Sequence, residues 1–330
     1  MPLVLAIETS CDETSVAVVE DRKILSNVIL SQIEIHQKFG GVVPEIAARQ
    51  HIRNLPIIYN QAIKESSIHV SEVDAIAVTI GPGLIGALLV GLSFAKGIAV
   101  SLRKPLIGVN HLLGHVCAAH LSFHHLSPPY IALLVSGGHT ELLLFDKSTT
   151  QPKILGRTLD DAAGEAFDKV ARLLNLGYPG GPAIEKISKN GDPRRYNFPR
   201  AILERENFDF SFSGLKTSVL YLLQRQKDVS YWDVAASFQE AVVDTLVQKA
   251  INALEKTGLK KLVVSGGVAS NARLREKLNQ KANEMGFELY MPAKFLCTDN
   301  AAMIAQAAIE MIKEGVSFPL SVTADPALSF

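Results

Sequence analysis

Two histidines four residues apart, His111 and His115, stand among small and apolar residues in the stretch GVNHLLGHVCAAH. On a helix, side chains at positions i and i+4 lie on the same face, so both imidazoles can point at one metal ion. A zinc protease would carry a glutamate directly after the first histidine to activate water, but this chain has Leu112 there. The spacing permits a metal site without fixing one, because buried histidines bonded to the backbone are common. A third ligand must come from elsewhere.

Three short turns rich in glycine and hydroxyl side chains follow predicted strands, with the sequences ETSCDETS, SGGHT and SGGVASN. Glycine lets a backbone approach a ligand closely, and free backbone N–H groups bind phosphate oxygens. A short glycine turn between a strand and a helix is also often only a tight connection. Three such turns at equivalent strand ends favour a phosphate-binding cleft.

The elements that carry these residues occur in the same order twice. The first series predicts strands at 3–7, 15–20 and 23–30, a helix at 44–64, a strand at 74–80, a helix from Leu84, a strand at 105–109 and a helix from about Asn110. The second predicts strands at 130–135, 141–145 and 152–159, helices at 163–175 and 232–255, a strand at 261–265, a helix at 271–285, a strand at 287–291 and a helix from Asp299. Any α/β chain shows some alternation, and the matching polar turns favour duplication. The expected fold class is α/β, in two halves that each hold a mixed sheet flanked by helices.

This repeat predicts two domains, at 1–126 and 127–330, of which the first carries the histidine pair. The second domain contains an insertion at 176–231, expected to be long and irregular, and its final helix, from about residue 299, is expected to pack back on the first domain. Within the insertion, aromatic residues are mixed with the basic residues Arg194, Arg195, Arg200 and Lys216. That composition suits the backbone and unstacked bases of RNA, and it equally suits a solvated lid over the cleft.

The overall composition excludes several classes of protein. Lysine plus arginine and aspartate plus glutamate both number 33, so no global field draws the chain onto nucleic acid, and RNA binding would need a local basic patch or a partner. The chain has three widely separated cysteines, Cys11, Cys117 and Cys297, outside any CxxC pattern. This usage predicts a reducing, cytoplasmic location.

No membrane association is expected. The N-terminal sequence MPLVLAIETSCDET turns polar too early for a signal peptide and is typical of a first strand. The longest apolar segment, Leu84 to Leu102, contains Lys96 and three glycines and follows a GPG turn. A buried helix fits this segment better than a membrane span.

At this level of detail the sequence resembles a known family, the universal tRNA threonylcarbamoyladenosine transferases, in their bacterial form TsaD. The motifs that carry the resemblance extend from Glu8 to Met303 and include IETSCDETS, GGVVPEIAARQH, GPGLIGALLVG, NHLLGH, LVSGGHTEL, DDAAGEAFDK, YPGGP, FSFSGLKT, SGGVASN and CTDNAAM. Membership implies the duplicated actin-like ATPase fold shared by actin, heat-shock chaperones and sugar kinases. It also implies transfer of threonylcarbamoyl from threonylcarbamoyl-adenylate to the N6 amine of the adenosine 3′ of the anticodon, in tRNAs reading ANN codons, with release of AMP. The implied partners are tRNA, a TsaB-type paralogue and a TsaE-type ATPase.

The resemblance also implies a set of site residues. The metal ligands would be His111, His115 and Asp299, a set that suits ferrous iron best and zinc as well. The adenylate, or ATP, ADP or AMP in the same site, would be bound by Leu134, Val135, Ser136, Gly137, Gly138, Asp168, Gly181, Glu185 and Asn271. Many relatives carry aspartate where this chain has Glu185, so its ribose contact is the least certain to carry over. Asp12, Glu13 and His139 are the expected catalytic groups, the first two to orient or deprotonate the attacking amine and the third to contact substrate phosphate.

Two rival functions remain open from the residues alone. A kinase or chaperone-like ATPase of the same fold would use the phosphate turns, but would leave the histidine pair and the distant Asp299 unexplained. A metalloprotease would use the histidines, but lacks the glutamate that its mechanism needs.

Overall fold

The structure is a computed structural model that describes residues 2–201, 206–226, 228–316 and 318–330. It divides into two compact units. The first comprises Met1–Pro128, Lys147–Pro152 and Pro292–Phe330, and the second comprises Pro129–Asp146 and Lys153–Met291. Residues 202–205 and 227 of the predicted insertion lie outside the described residues.

The first unit contains a five-stranded mixed sheet. Its strands are β1 (Leu3–Glu8), β2 (Glu13–Glu20), β3 (Lys23–Ser31), β4 (Ala75–Gly81) and β5 (Leu106–Asn110), in the order β3-β2-β1-β4-β5. The first three strands form an antiparallel meander, and β4 and β5 run parallel to β1. β1 and β4 are nearly continuous apolar runs, as expected for strands covered on both faces.

Within the described residues, the same unit has six α-helices. They are α1 (Ile33–His36), α2 (Pro44–Ser66), α3 (Ile85–Leu102), α4 (His111–Ser122), α10 (Lys294–Cys297) and α11 (Ala301–Lys313). α2 and α3 pack on each other and on the sheet, where Leu55 and Leu92 join Leu5 and Ile7 in one core. α3 is long and apolar enough by composition to cross a membrane, but one of its faces packs on β4 and α2. α11 is buried almost throughout and packs against α4 and β1.

The second unit repeats this sheet. Its strands are β6 (Tyr130–Val135), β7 (Thr140–Phe145), β8 (Lys153–Arg157), β9 (Lys261–Ser265) and β10 (Glu288–Tyr290), in the order β10-β9-β6-β7-β8. The helices are α5 (Ala163–Leu173), α6 (Gly180–Ser188), α7 (Ser213–Arg225), α8 (Tyr231–Thr257) and α9 (Ala272–Met285). Both sheets have an antiparallel meander followed by two parallel strands. The predicted α/β class, with duplicated mixed sheets, is therefore confirmed.

Two details differ from the sequence-based prediction. The insertion is not wholly irregular, because α6 and α7 lie within it. The last long helix begins at Ala301 rather than at Asp299, because the Asn300 side chain accepts a hydrogen bond from the Met303 backbone N–H and caps it there. Asp299 consequently lies just before the helix.

Candidate metal centre and nucleotide-binding turns

The histidine pair is positioned by the start of α4. β5 ends at Asn110, whose side-chain oxygen accepts hydrogen bonds from the backbone N–H groups of Leu112 at 2.8 Å and Leu113 at 3.4 Å. This cap makes His111 the first helical residue, because the capping residue itself has extended backbone angles. One turn later, His115 lies on the same face, and the two ring centroids are 4.7 Å apart.

Asp299 completes a cluster of three potential ligands. Its Oδ1 atom lies 3.2 Å from Nε2 of His115 and 3.5 Å from Nε2 of His111. One ligand atom from each residue lies within 4.8 Å of the others. α11 packs directly on α4, which brings a residue from the end of the chain to the helix that carries the histidines. All three ligands belong to the first unit.

The chemistry of these residues fits a divalent transition metal. Two imidazole nitrogens and one carboxylate form the donor set that both ferrous iron and zinc accept. His115 is buried, and neither of its ring nitrogens makes a hydrogen bond of acceptable geometry with a described residue, despite the proximity of Asp299. A buried imidazole without hydrogen bonds is unfavourable, and an ion bound at Nε2 would remove that deficit at this atom.

A fourth residue, Glu8, was not singled out by the sequence prediction. It ends β1, is wholly buried, and its Oε2 lies 3.0 Å from Nδ1 of His111. Thr79 donates its hydroxyl to the same oxygen at 2.6 Å, and the Ser10 backbone N–H donates to Oε1 at 2.5 Å. Because a carboxylate only accepts, Glu8 favours a proton on Nδ1 of His111, and a metal ion would then bind at Nε2, the nitrogen that faces Asp299. The available signal was a charged residue at the end of an otherwise apolar strand.

Electrostatics within this cluster favour charged groups despite burial. Burial alone would raise the pKa of both carboxyls, but the neighbouring His111 holds the pKa of Glu8 and that of Asp299 below their ordinary values. Burial likewise opposes the charge on His111, and Asp299 and Glu8 together raise its pKa well above the usual range. The site therefore carries more negative than positive charge once His111 loses its proton, which favours a bound cation.

The acidic turn between β1 and β2 lies in the same unit but outside the ligand cluster. Burial, followed by the charges of Asp299 and Asp12, raises the pKa of Glu13 well above its usual value. The Glu13 side chain accepts a hydrogen bond from the Ser31 hydroxyl at 3.0 Å, and Asp12 is buried. His51 anchors the turn, since its Nε2 lies 2.9 Å from the Cys11 carbonyl oxygen. The Glu13 carboxyl in this turn therefore stays protonated to a higher pH than an ordinary glutamate does.

In the second unit, glycine turns meet at neighbouring strand ends. β6 and β9 are parallel, with Leu134 opposite Ser265, so the turns after both strands lie at one edge of the sheet. The turn after β6 is closed by Ser136, whose backbone N–H donates to the His139 carbonyl at 2.8 Å. Gly137 and Gly138 are exposed, and a Cβ added to either would touch nothing. Leu134 and Val135 are fully buried strand residues, so they can offer a ligand only their backbone.

The other predicted nucleotide residues lie around α6. Asp168, on α5, accepts a hydrogen bond from the Gly180 backbone N–H at 2.7 Å. Glu185 accepts one from the Ala272 backbone N–H at 3.4 Å. Asn271 caps α9 by accepting from the Leu274 backbone N–H at 3.0 Å, and it donates to Gln239 at 2.8 Å.

An open surface remains in the same region. A Cβ added to Gly181 would touch nothing, so the start of α6 is open to a ligand. A cavity of about 360 Å³ is lined by Glu185, Gln239, Glu240, Ala272 and Arg273, among others. The structure thus brings Asp168, Gly181, Glu185 and Asn271 to elements that contact each other around α6.

The chain is similar to known proteins in sequence and in structure. The family model of tRNA N6-adenosine threonylcarbamoyltransferase, TsaD, matches residues 23–306. A curated relative of that name from Thermotoga neapolitana is 55% identical over 327 residues, which cover 99% of both chains. Another, from Kosmotoga olearia, is 56% identical and covers 99% of this chain and 98% of its own.

The structural comparison agrees in fold. A crystal structure of T. kodakarensis HypF matches 95% of this chain and 48% of its own length, with a TM-score of 0.66 and 15% identity. That likeness confirms the duplicated actin-like architecture and carries no information on function. The match to the family model and the full-length identity to curated relatives show that the chain belongs to the tRNA N6-adenosine threonylcarbamoyltransferase family.

Proposed function

We propose that this chain transfers the threonylcarbamoyl group from threonylcarbamoyl-adenylate to the N6 amine of the adenosine 3′ of the anticodon, in tRNAs reading ANN codons. The N6 lone pair forms a bond to the carbamoyl carbonyl carbon, the bond from that carbon to the phosphate oxygen breaks, and AMP leaves while N6 loses a proton. The observation that carries the proposal is the convergence of His111, His115 and Asp299. A kinase or ATPase of the same fold needs the glycine turns but has no use for this cluster.

His111, His115 and Asp299 would hold the metal, with ferrous iron the better fit and zinc the alternative. A divalent ion held there would act as a Lewis acid towards the carbonyl oxygen of the donor. Glu8 keeps His111 in the tautomer that leaves Nε2 available, and the burial of His115 limits the positions that its ring can take.

The adenylate would lie against the turns of the second unit. Ser136, Gly137 and Gly138 would offer backbone N–H groups to its phosphate, and Leu134 and Val135 would offer only backbone atoms. Asp168 and Glu185 would accept hydrogen bonds from ribose hydroxyls, Gly181 would leave room for the ligand, and Asn271 would contact the purine or ribose. The same site would accept ATP, ADP or AMP.

Asp12, Glu13 and His139 are the proposed catalytic groups. Glu13 would accept the N6 proton in its ionised form, and its raised pKa makes that carboxylate a stronger base than an ordinary glutamate. Asp12 would orient the amine. His139 lies in the turn after β6 and would contact the substrate phosphate.

Further partners belong to the same proposal. Ile52 and Ile57 on α2 and Ile85 and Leu89 on α3 are exposed although apolar, which supports a protein partner on this face. We assign that partner as a TsaB-type paralogue, with a TsaE-type ATPase in the same assembly and no membrane. The assembly would be cytoplasmic, as the three widely separated cysteines outside any CxxC pattern favour.

The test is transfer of labelled threonine to tRNA, supplied as threonylcarbamoyl-adenylate, with and without the two partners. We expect incorporation that depends on the adenosine 3′ of the anticodon, is lost in His115→Ala, and is retained in His124→Ala, a matched exposed histidine outside the cluster. Turnover of ATP without any transfer to tRNA would instead support the kinase or ATPase function.

A further inference from the structure

The start of α8 exposes two aromatic side chains. Trp232, the only tryptophan of the chain, is 59% exposed, and the adjacent Tyr231 is 46% exposed. Large aromatic side chains are usually well buried in a domain that has room for them. Two neighbouring exposed rings on one helical turn therefore indicate a surface that another molecule covers.

The segment 191–196 holds two arginines, and its backbone runs along the first turns of α8. Its backbone lies so close to α8 that a Cβ on Gly191 would be 2.1 Å from the Trp232 carbonyl oxygen. The Asp192 backbone N–H donates to the Asp233 carboxylate at 2.8 Å, and the Ser237 hydroxyl donates to the Asp192 carbonyl at 3.1 Å. Arg194 and Arg195 follow directly and are exposed.

Further hydrogen bonds hold the segment 191–196 at its C-terminal end and within its own turn. The Tyr196 backbone N–H donates to the Ser237 hydroxyl oxygen at 3.1 Å. The Arg194 and Arg195 backbone N–H groups donate back to Asp192, at 2.8 Å to its carboxylate and 3.2 Å to its carbonyl. The two arginines are thus carried by an ordered turn rather than by a free loop.

Basic residues outnumber acidic residues in the stretch of sequence that leads to this surface. Arg194 and Arg195 form no ion pair with a residue that the structure describes, whereas Arg200, a few residues on, is bound by Asp244 at 2.7 Å. From 186 to 195 the sequence has four basic residues, Lys186, Lys189 and the two arginines, and one acidic residue. All four are exposed, in a chain whose total basic and acidic residues are equal in number.

We propose that Arg194, Arg195, Tyr231 and Trp232, here named the aromatic–basic patch, bind unpaired nucleotides of tRNA. The inference rests on the proposed function, in which tRNA is the acceptor. Arginines would contact backbone phosphates, and the two rings would stack on bases that are not paired in the RNA. Unpaired arginines beside exposed aromatic rings fit RNA better than an apolar protein surface, because a protein partner would need acidic residues to match both guanidinium groups.

Trp232 supplies its own probe, since the tryptophan fluorescence of the chain comes from this single indole. We would titrate the full chain at low salt with an anticodon stem–loop RNA and with a blunt RNA duplex of equal length. The loop RNA is expected to quench the indole with saturation, and the duplex is expected to quench it much less, because its bases are not free to stack. Binding of the loop RNA without any change in Trp232 fluorescence would overturn the proposal.

Substitutions separate stacking from charge. Trp232→Ala is expected to raise the Kd for the loop RNA about 5-fold or more at unchanged salt dependence. Arg195→Ala is expected to weaken binding and to reduce the slope of log K against log salt by about 1. The matched control is Lys260→Ala, an exposed basic residue beyond the opposite end of α8, which with 27 residues is about 40 Å long. It should leave both quantities unchanged.

The transfer assay then separates this proposal from the proposed function. With partners present, Trp232→Ala and Arg195→Ala are expected to raise the KM for tRNA at least 5-fold with little change in kcat, because neither touches the reacting atoms. If both variants keep the wild-type KM for tRNA, the proposal that the aromatic–basic patch binds tRNA is wrong, while the proposed transferase function is unaffected. Absence of transfer by the wild type would overturn the function, while the fluorescence titration would still decide whether the patch binds RNA.

Discussion

The Nδ1 atom of His111 lies 3.0 Å from Oε2 of Glu8, a carboxylate that no solvent reaches. A buried carboxylate behind a histidine fixes which ring nitrogen carries the proton and raises the basicity of the other. The relationship connects the end of β1 to the first residue of α4. If the cluster binds a metal ion as proposed, Glu8 is a positioning residue for that site, through His111 rather than by direct ligation.

We expect Glu8→Gln to weaken metal binding about 10- to 100-fold while the chain stays folded, because glutamine keeps the shape and loses the charge. The measurement is competition with a chelator of known affinity on metal-free protein. Thr79→Val, which removes the hydroxyl that donates to the same carboxylate oxygen at 2.6 Å, should weaken binding in the same direction and by less. Unchanged affinity in Glu8→Gln would show that His111 needs no orienting partner.

The three ligands should act as one set. His111→Ala, His115→Ala and Asp299→Ala are each expected to lose bound metal, since a site with two remaining donors holds a divalent ion poorly. Metal at 100 times its Kd should stabilise the wild type by about 2.7 kcal/mol and the variants not at all, which a thermal melt measures. His124→Ala is the control that should retain both responses. An Asp299→Ala protein with full metal content would exclude this aspartate from the site.

Two kinds of glycine in the second unit should respond differently to substitution by alanine, depending on whether the added methyl group meets open space or backbone atoms. Gly137→Ala and Gly181→Ala place a methyl group in open space, so stability should not fall, whereas nucleotide binding should weaken because the backbone can no longer approach phosphate. Gly164→Ala and Gly180→Ala place it 2.5 to 2.6 Å from backbone atoms and should lower the melting temperature instead. Melting curves and AMP titrations of the four variants test the division. Tight AMP binding by both open-site variants would remove these turns from the ligand site.

Periodicity and turn chemistry were sufficient to predict most of the fold, because hydrophobic runs and glycine turns are local signals. A helix start near Asn110 was predicted from the strand before it, and the structure has α4 begin at His111 because Asn110 caps it. Asp299 could be joined to the histidines only through the family resemblance, since packing of α11 on α4 is a contact between distant segments. Glu8 was missed because its partners, Thr79 and His111, are also far from it in sequence.

Asn271 caps a helix in the structure and is also a proposed nucleotide-binding residue. Its amide caps α9 and also contacts Gln239, so Asn271→Ala is expected to weaken AMP binding and to destabilise the protein by about 1 kcal/mol. Asn271→Asp retains a good cap and loses the amide donor, so it should weaken nucleotide binding with little loss of stability. Both variants, and Asp168→Ala, should keep their metal, because the ligands belong to the other unit. Metal loss in any of them, measured on folded protein, would contradict this separation.

The pH dependence of stability should report on Glu240, which is paired with Arg273 at 2.7 Å and Lys277 at 2.6 Å and whose side chain is 14% exposed. The hydrogen bond from Arg273, opposed by partial burial and aided by Lys277, lowers the pKa of Glu240 from 4.5 to about 2. A lowered pKa means that the unfolded chain binds more protons, so this stabilisation is complete above about pH 5 and is lost as pH falls from 4.5 towards 2. After solvent screening it amounts to about 1–2 kcal/mol.

Glu240→Gln should therefore have a lower urea midpoint than the wild type at pH 7, and the two midpoints should converge as the pH is lowered from 5 to 3. Glu284→Gln is the matched control. Glu284 pairs with Lys281 on α9, the helix that also carries Arg273 and Lys277, but this pair is exposed and screened by solvent. Its removal should leave the pH profile close to that of the wild type. If the difference between the urea midpoints of Glu240→Gln and the wild type does not change with pH over this range, the Glu240 carboxylate has the same pKa in the folded and the unfolded chain. In that case the ion pairs with Arg273 and Lys277 would not contribute to the acid sensitivity of the protein.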